Sequence, residues 1–200
     1  KDTRVLPAEW QAMLVRGAQR LGLKKWPRTR LSPHVQTPAL IGLIKPVILI
    51  PLSMLSGISP AQAEMLILHE LYHFRQKDHY LAFLQEITEI LFFFHPMVWV
   101  IGKYLRNERE KSVDAWVVNH SGQALLYARA LLELAEKKQA VYPARVAASH
   151  SKSNLFTRIK LIMTMKTNPI HPGKKMAAFL VLLASLLSIA WIGPSATLNH

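Results

Sequence analysis

His69-Glu70-Leu71-Tyr72-His73 spells H-E-x-x-H inside a run that reads as helix. Four residues apart on a helix, the two histidines stand one turn above each other on one face, where both imidazoles reach a single metal ion. Glu70 lies about 100° further round. There it can draw a proton from water beside a zinc ion without ligating the metal. The flanks support the helix: Ser59 suits the N-cap, Pro60 the first position and Gln62 the capping-box partner. Met65, Leu66, Leu68, Leu71 and Tyr72 then follow at helical spacing. Histidines on a helix are often only satisfied polar side chains; this context favours the metal.

A catalytic zinc site needs a third protein ligand and an open position for water. The stretch Leu105-Arg106-Asn107-Glu108-Arg109-Glu110-Lys111-Ser112-Val113-Asp114 offers one. Glu110 and Asp114, four apart, share a helix face, so Glu110 would complete a His-His-Glu site while Asp114 accepts the distal N–H of a ligand histidine. Taken alone, the same run is a solvated charge cluster with i,i+4 pairing. Chemistry does not separate Glu108 from Glu110; only Glu110 has an Asp four residues on.

H-E-L-Y-H (69–73), F-F-F-H-P-M-V-W (92–99) and L-R-N-E-R-E-K-S-V-D (105–114) jointly resemble the membrane-embedded zinc metallopeptidases of beta-lactam sensor-transducers, the BlaR/MecR type. The run T-P-A-L-I-G-L-I-K-P-V-I-L-I-P (37–51) resembles that family's strand region, and the likeness covers roughly residues 28 to 165. These peptidases are gluzincins. The resemblance implies one zinc per chain held by His69, His73 and Glu110, with Glu70 as general base and Asp114 behind the ligands. Val113 departs from the Cys or small residue the family often places before that Asp. The resemblance also implies a signal-transducing endopeptidase that cuts a cytoplasmic protein, typically a transcriptional repressor, and in some cases itself.

With 200 residues, one catalytic domain plus an appendage is expected, and a first residue of Lys1 reads as a fragment of a longer chain. No cysteine is present, which leaves His and carboxylate as metal ligands. The formal charge of +13 is scattered, without a helix-turn-helix or aromatic-interleaved basic sheet. A domain apposed to membrane lipid explains it better than direct nucleic-acid binding. Met176 to Ile192 is uncharged, follows Lys174-Lys175, and precedes eight residues without Lys or Arg. Positive-inside asymmetry makes it a transmembrane helix with the preceding domain cytoplasmic. The run Ile87 to Tyr104, interrupted by Glu89, His95 and Pro96, reads instead as buried or membrane-adjacent helix.

The expected fold is α+β and mostly helical: a zincin-like peptidase domain over residues 1–172, a transmembrane helix over 173–193, and the start of an extracytoplasmic segment over 194–200. Helices are expected at about 7–23, 60–77, 80–93, 96–120, 121–138 and 154–167, and strands at 28–31, 39–43 and 47–50. Ala39, Leu40, Ile41 and Gly42 are the candidate substrate-binding edge, pairing with an extended peptide. Residues 141–153 read as a loop and a candidate self-cleavage site. His79 is expected to face away from the metal on a continuous helix, and His95 to be structural. Tyr72, Tyr104 and Arg106 are candidates for stabilising an oxyanion. Ser149-His150-Ser151-Lys152 matches S-x-x-K without its surroundings. Expected partners are the protein substrate, further transmembrane helices and an extracytoplasmic sensor of the full-length chain; a homodimer is also compatible. A latent signalling scaffold of the same fold is the alternative, a basic nucleic-acid binder the weaker one.

Overall fold

The computed structural model describes residues 6–141 and 151–164, with side chains at 6–137 and 154–164. All lie in the first of two units into which the chain divides, residues 1–168. The elements run α1 (Ala8–Arg20), β1 (Arg28–Ser32), β2 (Ala39–Ile41), β3 (Val47–Pro51), α2 (Met54–Gly57), α3 (Pro60–Arg75), α4 (Asp78–Leu91), α5 (Pro96–Ser121), α6 (Ala124–Val141) and α7 (Ser151–Thr164). This is a mostly helical α+β architecture with one small sheet.

Helix α3 is the core of the molecule. Its start is the expected capping box: Gln62 N donates to Ser59 Oγ at 3.3 Å, and Ser59 N donates to Gln62 Oε1 at 2.9 Å. Gln62 Nε2 also donates to Glu133 Oε1 at 2.8 Å, tying this end to α6. From Met65 to Tyr72 every residue is buried. A helix hydrophobic all round must be covered on all sides, and α1, α5 and α6 pack around it. Gly17 lets α1 come close, because a Cβ there would meet Leu71 Cδ1 at 2.9 Å. Leu71 is fully buried. Leu71→Ala should therefore cost about 2–5 kcal/mol of unfolding free energy in denaturant titration, from lost burial and the cavity left behind.

The sheet has the order β1-β3-β2, with β1 parallel and β2 antiparallel to β3. Ile48 and Ile50 of β3 are buried, as the middle strand requires. β2 pairs through Ala39–Leu49 and Ile41–Val47, and among the described residues no strand covers its outer edge. Its length is shorter than expected: Gly42 turns out of the strand with φ +89, so the edge ends at Ile41.

Two expectations about helices change. The motif helix stops at Arg75, and the chain turns through Lys77 in the left-handed region (φ 59) straight into α4. His79 is thus not on a continuation of α3, and the turn brings it round to line the same cavity as the motif histidines. Ser151 to Ser153, read as loop, begin α7; residues 142–150, including most of the candidate self-cleavage loop and two residues of the S-x-x-K match, lie outside the described residues. So do Met176 to Ile192. Among the described residues, no helix is long and apolar enough to cross a membrane.

Candidate metal centre

Two helices build the site. α3 presents His69 and His73 on one face with Nε2 atoms 3.1 Å apart. α5 crosses it and brings Glu110 up to them, Oε2 lying 3.5 Å from His69 Nε2 and Oε1 3.5 Å from His73 Nε2. Ligand atoms of the three residues all lie within 4.8 Å of one another, and they form the metal-competent cluster among the described residues. Glu108 is excluded from it by position: its carboxylate pairs with Lys111 at 2.8 Å. Two imidazoles and a carboxylate are a borderline-to-hard donor set suited to zinc, and three ligands leave a position open.

The groups behind the ligands fix which nitrogen faces the metal. His73 Nδ1–H donates to Asp78 Oδ2 at 2.7 Å, turning Nε2 inward. Tyr127 O–H donates to Asp114 Oδ1 at 2.6 Å, so its oxygen is left to accept from His69 Nδ1–H at 2.7 Å. Asp114 therefore reaches His69 chiefly through Tyr127; its direct approach to Nδ1 is 3.5 Å. Arg158, from α7, locks the assembly. Its Nε and Nη2 donate to both Asp114 oxygens at 2.8 Å, and Nη1 pairs with Glu110 Oε2 at 2.8 Å. A planar guanidinium suits this because its donors match two carboxylates at once.

Ionisation follows the same contacts. Burial pulls His73 down, but the Asp78 and Glu110 carboxylates outweigh it and raise the imidazole to about 10. Burial works to raise Glu110, yet His69, His73 and Arg158 hold its carboxyl well below the ordinary range. Burial and the Asp114 charge push Tyr127 well up, keeping the phenol protonated as a donor. Arg158 is raised: Asp114 and Glu110 more than offset its burial.

A cavity of about 380 Å³ opens over these residues. Glu70, buried on α3, lines it beside the histidines, and among the described residues no hydrogen bond or ion pair engages its carboxylate. Ala39 and Leu40 of the β2 edge line the same cavity; Ile41 and Gly42 do not. Tyr72 is turned elsewhere, stacked on Trp116 at 4.4 Å and accepting from Gln76. Tyr104 is exposed on α5, and Arg106 is paired with Glu89, so none of the three oxyanion candidates borders this cavity. Arg109 does, and also borders an adjoining cavity of about 680 Å³. Among the described residues no hydrogen bond or ion pair engages its guanidinium, which burial lowers against the pull of the Asp78 and Glu110 carboxylates; it stands where a carbonyl or carboxylate could enter.

Asp78, Tyr127, Arg158 and Arg109 were not foreseen as site residues. Asp78 carried a local signal, as the acid at the start of the helix after the motif. Tyr127 and Arg158 carried none, being 58 positions from His69 and 44 from Asp114. Tyr127→Phe should weaken zinc binding about 10–100-fold in chelator competition, since it removes the hydroxyl that orients His69.

H-E-x-x-H on one helix and a third carboxylate on a second define the class of HExxH metallopeptidases. The chain belongs to the BlaR1 peptidase M56 family, whose profile matches residues 1–162, a family of zinc metallopeptidases. It is 28% identical over 162 residues to Regulatory protein BlaR1 of Bacillus licheniformis, across 78% of this chain and 27% of that protein. The Methicillin resistance mecR1 proteins of Staphylococcus aureus strain Mu50 and Staphylococcus epidermidis are each 26% identical over 162 residues, across 78% of this chain and 28% of theirs. The chain thus spans little more than a quarter of the length of these relatives.

Proposed function

We propose that this chain is the membrane-tethered zinc endopeptidase part of a signal-transducing protein, hydrolysing a peptide bond in a cytoplasmic protein and in itself. The observation that carries the reading is the convergence of His69 Nε2, His73 Nε2 and the Glu110 carboxylate, with Glu70 unengaged in the same cavity. A bound zinc supplies Lewis acidity, lowering the pKa of water and polarising a carbonyl. Glu70 takes the proton of the attacking water and returns it to the leaving amine. Ala39 and Leu40 hold the substrate backbone extended through the β2 edge, which Ile41 completes and from which Gly42 turns away. Asp78, Tyr127, Asp114 and Arg158 keep the ligands oriented and the local charge balanced.

The relatives are named as a regulatory protein and as methicillin resistance proteins, and the sequence resembles beta-lactam sensor-transducers. By that likeness the substrate is a transcriptional repressor and the full-length chain carries further membrane helices and an outside sensor. The segment 173–193 serves as the transmembrane tether, with residues 1–172 cytoplasmic and residues 194–200 beginning the outer part.

The test is metal content together with cleavage. The purified full chain should bind one zinc per molecule, and on incubation with zinc new termini should appear by mass spectrometry, in the 141–153 segment and in an added repressor. Zinc bound without any cleavage of either would leave the scaffold reading in its place. Failure to bind zinc would remove both readings of the site.

A further inference from the structure

The hairpin of α4 and α5 is built inside out. Ile90, Leu91, Phe93, Phe94, Trp99 and Val100 are each at least 50% exposed. Beside this face, several of its polar side chains turn inward. Gln85 and Thr88 are buried; Gln85 Nε2 donates to Glu89 at 2.7 Å and to the Gly102 carbonyl at 2.9 Å. Arg106 closes on the same Glu89 carboxylate. Gly102 makes the room, because a Cβ there would overlap that carboxylate. Water selects the opposite arrangement; a hydrocarbon environment selects this one. Several polar groups of the tip are satisfied within it: Phe92 and His95 N–H donate to the Thr88 and Phe92 carbonyls, and Trp99 Nε1–H donates to the Phe93 carbonyl at 2.9 Å, while His95 Nδ1 is buried without a partner among the described residues.

Dimensions and charge choose the occupant. Ile87 to Leu91 on α4 and Met97 to Gly102 on α5 each give about 8–9 Å of helix whose exposed face is apolar, less than the roughly 15 Å of hydrocarbon in one leaflet. The hairpin is thus too short to cross and long enough to dip. Where the apolar belt ends, Tyr104 is exposed between Lys103 and Arg106, with Tyr80 exposed on α4. Aromatic rings and cations are what the headgroup layer of an anionic bilayer favours. Glu86, the exposed carboxylate of this stretch, stands one turn above Ile90, at the same margin.

We propose that the α4–α5 hairpin inserts its Phe92–Trp99 tip into one leaflet of an anionic bilayer, as a monotopic anchor separate from the 176–192 run. It holds whether or not the chain cleaves anything. Asp78 and Glu110 lie about 20 Å of helix from the tip, so the insertion sets the metal centre just above the headgroups and presents it to substrates at the membrane surface.

These 200 residues include no cysteine, which makes single spin labels clean. The full chain is placed in phosphatidylglycerol–phosphatidylethanolamine vesicles with labels at Ile90→Cys, Phe94→Cys and, as comparator, Leu125→Cys, 54% exposed at the start of α6. Collisions with a water-soluble nickel chelate should fall about fivefold or more at Ile90 and Phe94 relative to Leu125, while collisions with oxygen rise. Equal nickel access at all three positions overturns the proposal; vesicle binding in that case belongs to the 176–192 run alone. Loss of both nickel and oxygen collisions also overturns it, in favour of a second copy or another protein segment. Unchanged protection in phosphatidylcholine alone overturns the anionic requirement.

Discussion

In the zinc-loaded chain, Glu70→Gln should slow peptide hydrolysis by roughly 10²–10⁴-fold and leave zinc stoichiometry unchanged. The amide keeps the shape of the side chain but cannot accept the proton of the attacking water. Glu70 is not one of the three converging ligands, so the metal should stay. Among the described residues no hydrogen bond or ion pair engages its carboxylate, so the change breaks no such bond and removes only its charge near His73. Cleavage of the repressor or of the 141–153 segment, followed by termini mapping, reads the rate; metal analysis reads the zinc. A variant that cleaves as fast as the parent would remove Glu70 from the proton transfer.

His73→Ala should abolish stoichiometric zinc binding at neutral pH, a loss larger than the 10–100-fold expected of Asp78→Asn, which only frees the imidazole to turn. The order of the two effects is the informative result. His73 is a ligand and Asp78 its holder, 2.7 Å from Nδ1. Zinc must also displace a proton from His73, raised to about 10 by Asp78 and Glu110 against its burial. Affinity in the parent chain should therefore climb as pH rises from 7 towards that value and fall as the imidazole takes up its proton. Chelator competition across pH measures both. Equal zinc affinity in His73→Ala and the parent would mean that the metal sits elsewhere.

Local chemistry was legible along the chain wherever it acts over a few residues. The capping box at Ser59, the H-E-x-x-H face and the Pro96 start of α5 are decided by side chains within one turn of each other. The length of α3 was misjudged because nothing local forbids Lys77 from continuing a helix. It takes the left-handed conformation so that α4 can fold back, and this brings Asp78 to His73. The run from Ile87 to Tyr104 was read as buried or membrane-adjacent, and the fold resolves it into a hairpin whose apolar faces point outward.

Sequence alone determined the family, the helical framework and the three ligand candidates, because these rest on residue type and short spacing. Spacing to Asp114 and the family resemblance already favoured Glu110 over Glu108; the tertiary structure adds how they part, with α5 packed on α3 so that one carboxylate meets the histidines and the other meets Lys111. It alone joined Tyr127, Asp114 and Arg158 into the network behind them. Their partners lie 13 to 58 positions apart in the chain. Hydrogen bonds between such distant residues exist only once burial of α3 has drawn α5 and α6 around it and α7 has packed on those two, and no local pattern encodes where those helices meet.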